Sequence, residues 1–160
     1  MAFSGRWTHR LVPIIEAWVN RNQREVDYYI TQFITGHGCF RAYQYRFKLD
    51  ETGECPLCPE TEESAEHVFF CCHRFHEERR DFRRVCGSDP TADNIVNIML
   101  LNKDYWMAGQ RFATQVIQKL RNEERDRRTR RYPKTMRRHS ANHTHDVMPN
   151  GGPVGGEKLV

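Results

Sequence analysis

Four side chains able to bind a metal, Cys55, Cys58, His67 and Cys72, stand in the order Cys-x2-Cys-x8-His-x4-Cys within one short segment, ECPLCPETEESAEHVFFCC (54–72). Three thiolates and one imidazole fill the four tetrahedral positions of a structural zinc ion. The segment therefore reads as a small knuckle round one structural zinc. Pro56 pre-sets its φ at roughly −65°, so Cys-Pro-Leu-Cys can fold as a tight turn that aims two sulfurs at one point. The acidic loop from Pro59 to Glu66 then carries the chain to His67. The fourth ligand has two candidates. Regular helix after His67 would put Cys71, at i+4, on the histidine's face, whereas a non-helical turn would put Cys72 there.

The chain has six cysteines, so disulfide pairing is the competing use. The opening MAFSGRWTHRLVP is interrupted by Arg6, His9 and Arg10 and offers no apolar signal-peptide stretch. An intracellular, reducing location is the expectation, and there clustered Cys and His read as metal ligands. The leftover cysteines, Cys39, Cys71 and Cys86, are expected to act as small buried hydrophobes.

The elements around the segment read as helices. Leu11, Ile15, Trp18 and Val19 fall at helical spacing after Thr8, a candidate N-cap, with Pro13 placed in the first turn. Val26, Tyr29, Ile30, Phe33 and Ile34 form a second stripe, stopped by Gly36 and Gly38. His37, between those glycines, is expected in a helix-terminating loop. After the segment, Phe75, Phe82 and Val85 predict the inner face of a helix closed by Gly87. Ala92, Ile95, Val96 and Met99 predict another, starting after Asp89, Pro90 and Thr91. Trp106, Phe112, Ala113, Val116, Ile117 and Leu120 predict a last one. The fold class is thus mainly α: a small helical domain organised round one zinc knuckle, with a disordered C-terminal tail. Its divisions are 1–50 helical, 51–74 knuckle, 75–131 helical with an Arg-rich extension, and 132–160 disordered.

That extension, RNEERDRRTRR, sets Arg125, Arg127, Arg128, Arg130 and Arg131 against Glu123, Glu124 and Asp126. It reads either as a solvated helix with i, i+4 pairs or as a nucleic-acid contact. Beyond Pro133 there are too few apolar residues to order the chain, and His139, His143 and His145 belong to a flexible polar tail. At 160 residues, 38% of them hydrophobic, the chain is long enough for one modest core. A net charge of +4 and a pI of about 8.8 favour a polyanionic partner modestly. No run approaches the length of a membrane span. Arg41, Arg46, Lys48 and Arg74 flank the knuckle and are candidate phosphate contacts, and Phe69 and Phe70 are candidate stacking partners for unpaired bases, at least one of them expected under the metal loop. There is no Gly-rich phosphate loop, no Gly-x-Ser-x-Gly and no His-Glu-x-x-His. Glu66 beside His67 suits a zinc hydrolase only where the metal keeps an open position, which four protein ligands would close.

The run YYITQFITGHGCFRAYQYRF (28–47), followed by CPLCPETEESAEHVFFCCHRF (55–75), resembles the segment downstream of the reverse transcriptase domain in non-LTR, LINE-type retrotransposon polyproteins. GRWTHRLVPIIEAWVNR, with Trp7 and Trp18, is similar to the same region in the arthropod clade that includes rDNA-inserting elements. The resemblance covers residues 5 to 120. It implies Cys72 as the fourth ligand, since that family's last cysteine follows the histidine after four residues. It further implies a fragment without polymerase or endonuclease residues, and no two aspartates adjoin anywhere in the chain. Beside its polymerase, such a segment would help hold template RNA or target DNA during target-primed reverse transcription, through Arg41, Arg46, Arg74, Arg127, Arg128, Arg130 and Arg131. The alternative it implies is a module docking on the polymerase domain. A nuclear location follows from the same reaction.

Overall fold

Helix α1, Phe3–Leu11, and helix α3, Tyr28–Thr35, are tied side by side by polar bonds at their touching faces. Trp7 Nε1 donates to Phe33 O at 2.9 Å and Thr8 Oγ1 to Ile34 O at 3.0 Å. Thr8 is thus inside α1 and does not cap a helix after it. Pro13 lacks an N–H and disfavours helix at the residue before it. It therefore splits the expected helix, and only the short α2, Ile15–Val19, follows. Leu11 is buried, but Ile15 and Val19 are 68% and 66% exposed, so this stripe is not the inner face the spacing predicts.

The second stripe holds from Tyr29 to Ile34, but Val26 precedes the helix and is exposed. Asp27 caps α3, its side chain accepting Ile30 N–H at 2.8 Å, and Gly36 closes it at φ +66°. Then come α4, Arg41–Arg46; a π-turn, His67–Cys71; a 3₁₀ turn, His73–Phe75; α5, His76–Cys86; α6, Ile95–Met99; and α7, Lys103–Arg131. The computed structural model describes residues 3–22 and 25–131. The tail expected to be disordered, 132–160, with its three histidines, lies outside the described residues. Among the described residues the sole β pairing is one antiparallel bridge between Glu54 and Glu62. The mainly α reading is correct.

The chain divides after Arg125, and the helices and knuckle before that point share one apolar cluster. Phe69 is at its centre, fully buried. Its ring lies 4.5 Å from that of Phe33 on α3 and 5.4 Å, edge-on, from that of Phe112 on α7. Phe82 on α5 meets Phe112 at 5.8 Å. On α5, Cys86 rather than Val85 faces inward: Val85 is 43% exposed. Cys86 stands i+4 from Phe82 and so shares its face. Helix α6 begins at Ile95, later than Thr91 would start it, yet Ala92, Ile95, Val96 and Met99 are all buried. The α7 stripe is buried throughout. Gly109 lets α6 approach α7, because a Cβ there would overlap Met99's Sδ, Cγ and Cε. Gly109→Ala should therefore lower stability by about 1–3 kcal/mol despite alanine's helix preference, read from the urea midpoint.

Candidate metal centre

Two backbone devices bring the four candidate ligands together. The first is a minimal hairpin. Cys55 N–H donates to Thr61 O at 2.8 Å, and Thr61 N–H to Cys58 O at 3.3 Å. Glu60 turns this loop at φ +57°. The second is the π-turn after the loop. Ser64 Oγ accepts His67 N–H at 3.2 Å, as a helix-capping serine does. The turn then closes from Cys72 N–H to His67 O at 2.7 Å, an i→i+5 bond. That extra residue per turn moves the sulfur in register with His67 from Cys71 to Cys72.

The ligand atoms of Cys55, Cys58, His67 and Cys72 all lie within 4.8 Å of one another. Cys55 Sγ and Cys72 Sγ are 3.7 Å apart. Two sulfurs on a tetrahedral zinc, with bonds of about 2.3 Å, stand roughly 3.8 Å apart. His67 Nε2 is buried with no hydrogen-bond partner, as suits a nitrogen placed to ligate a metal. Burial lowers the His67 pKa, and the charges of Arg74, Arg79 and His73 lower it further, so the imidazole is neutral and ready to donate its lone pair. The group can hold one metal ion. Cys71 is exposed and outside it, which corrects the expectation of a third buried spare cysteine; Cys39 and Cys86 are buried as expected. His37 is exposed and stacks on Tyr43 at 4.9 Å, away from the four.

Arg74 joins the sulfurs to the rest of the fold. Its Nε donates to Cys72 Sγ at 3.3 Å and its Nη2 to Cys55 Sγ at 3.5 Å. It also pairs with Glu63, and with Glu123 of α7 at 2.5 Å. Burial pushes the Cys72 thiol up, but these bonds and the guanidinium charge outweigh it and hold Cys72 below its ordinary value. Burial holds Cys55 above its own, against the backbone amides of Leu57 and Cys58. With its side chain 9% exposed, Arg74 is committed to this cluster and is not presented to a phosphate. Arg41 is similarly engaged, with Asp50 at 3.3 Å and with Glu54 O at 3.2 Å. Arg46 is exposed. Arg127, Arg128, Arg130 and Arg131 lie at the end of α7, beyond Arg125, with Arg128 and Arg130 exposed. Phe69 is fully buried in the apolar cluster, and Phe70 is half-buried.

Two residues of this cluster, Glu63 and Arg79, went unread in the sequence, and Glu123 was read only as an acid of the charged extension. Glu63, fully buried, accepts Arg41 N–H at 3.3 Å and so places a carboxylate at the start of α4. Glu123 reaches Arg74 from α7, and Arg79 donates to Cys72 O at 2.7 Å. Their only sequence signal is charge, which their neighbours share.

Over 77 residues the chain is 39% identical to the Retrovirus-related Pol polyprotein from type-1 retrotransposable element R1 of Popillia japonica. The match takes in 47% of this chain and 29% of that polyprotein, so the chain spans under a third of the curated relative. No protein-family model matches the chain, and no solved structure does.

Proposed function

We propose that this chain is a non-catalytic, zinc-organised segment of a non-LTR retrotransposon polyprotein that helps hold template RNA or target DNA during target-primed reverse transcription. The observation that carries the metal part is the convergence of three sulfurs and a partnerless, buried His67 Nε2. Support for the polyprotein comes from the partial identity to the R1 relative. Zinc held by Cys55, Cys58, His67 and Cys72 would supply a cross-link and no open coordination position, hence folding rather than hydrolysis. This chain's own residues do the rest: Arg74 neutralises the sulfurs, and Glu63 locks the loop to α4.

The test is the affinity of the zinc-loaded chain for a labelled single-stranded RNA across salt, repeated after zinc is stripped. Binding is expected to weaken by orders of magnitude between about 50 and 200 mM salt, and to fall when zinc leaves. Negligible binding in both states would overturn the nucleic-acid part. One set of observations favours docking on the polymerase domain instead. Arg41 and Arg74 are engaged within the fold, while Tyr45, Phe47 and Leu49 beside the knuckle are each 56% exposed. An apolar interface of that kind would vary little with salt.

A further inference from the structure

Helix α5 carries a run of arginines on a groove that the sequence reading passed over. Arg79, Arg80, Arg83 and Phe70 line a cavity of about 410 Å³, with Asp89 and Pro90 also in its lining. The Arg80 and Arg83 side chains are 55% and 62% exposed. Among the described residues Arg80 pairs with Glu77 and Arg83 with Asp89 at 3.2 Å, both at the surface. Pairs this exposed hold their members weakly, so an arriving phosphate can take over either guanidinium. Phe70 packs against Trp7 at 6.1 Å and Phe33 at 6.4 Å and also borders the groove. A half-buried ring packed on the core and bordering a groove can serve as a stacking platform.

The groove is built on the metal-held turn. Phe70 lies inside the π-turn between His67 and Cys72. Arg79 donates to Phe69 O at 3.3 Å and to Cys72 O at 2.7 Å, which fixes α5 to that turn. Whatever holds His67 to Cys72 therefore also sets the spacing between the ring and the arginines.

The geometry points to this α5 groove as the seat of a single-stranded polynucleotide, with phosphates on Arg80 and Arg83 and an unpaired base stacked on Phe70. The inference rests on the nucleic-acid reading above and gives it a surface. A duplex fits less well, because its paired bases offer Phe70 no free face. Asp89 opposes the phosphates and limits the affinity.

The experiment uses the full zinc-loaded chain with labelled single-stranded RNA, single-stranded DNA of the same sequence, and a polyglutamate peptide. Arg80→Gln with Arg83→Gln should weaken both polynucleotides tenfold or more near 0.1 M salt and flatten the log–log salt slope by about 1.4, with zinc content and helicity unchanged. Asp89→Asn should tighten them. If the parent chain binds but this double variant binds equally well, while neutralising Arg127, Arg128, Arg130 and Arg131 abolishes binding, the groove is overturned and the nucleic-acid reading stands. If neither polynucleotide binds the parent chain, both fall. Equal competition by polyglutamate would overturn the groove in favour of an acidic protein segment.

Discussion

Cys72→Ser will strip the chain of its metal, while the adjacent Cys71→Ser will keep one zinc per chain. The two sulfurs are neighbours in sequence and opposites in environment. Cys72 is fully buried, 3.7 Å from Cys55 Sγ, and Cys71 is exposed. Loss of a ligand should weaken zinc by more than the roughly 10- to 100-fold that an outer-shell partner costs. Because the binding free energy of a structural metal is also folding free energy, Cys72→Ser, or a chelator on the parent chain, should lower stability by several kcal/mol. The loss spreads because Val68 and Phe69, both fully buried, ride on the turn between His67 and Cys72. A competing chromophoric chelator gives the affinity, and urea unfolding gives the stability. The opposite ranking of the two variants would mean that the turn is regular helix and that Cys71 is the ligand.

That pair also marks where the sequence stops being readable. Donor types and spacing were enough to pick out Cys55, Cys58 and His67 as candidate ligands that the fold brings together, because a turn and a short loop return such residues to one point. The last ligand depends on whether the chain makes four or five residues between bonded peptides after His67. Nothing in HVFFC encodes that choice through periodicity, since a single turn is too short to show a period. Resemblance, not spacing, favoured Cys72.

Helix α7 was legible for the contrary reason. Its stripe from Trp106 to Leu120 repeats over several turns, so small errors average out. The failures are short and near prolines or helix ends. Pro13 divides a stripe whose second half, Ile15 and Val19, lies in solvent, and Cys86 takes the inward place expected of Val85. Arg41 and Arg74 were read as phosphate contacts because local charge cannot show a partner far along the chain. Arg74 meets Glu63, eleven residues back, and Glu123, forty-nine ahead.

Arg74→Ala is expected to be the most damaging substitution outside the ligands, at about 3–5 kcal/mol. Its guanidinium is buried beside the wholly buried Glu63 and donates to both Cys55 and Cys72. Removing it leaves a carboxylate and two sulfurs in the interior without the cation they were buried against. Arg74→Lys should rescue little, since one ammonium cannot reach Cys72, Cys55, Glu63 and Glu123 as the planar fork does. Arg74→Met combined with Glu63→Leu separates the two roles. Stability should return in part, because a buried ion pair can be replaced by packed apolar groups at small cost, while the bond from Arg41 N–H to Glu63 is lost as well. Zinc affinity should stay some 10- to 100-fold low, because the sulfurs still lack their donor. Urea unfolding with and without chelator reads the first, and chelator competition reads the second. Full recovery of zinc affinity in the double variant would reduce Arg74 to a counter-ion for Glu63, with no part in tuning the sulfurs.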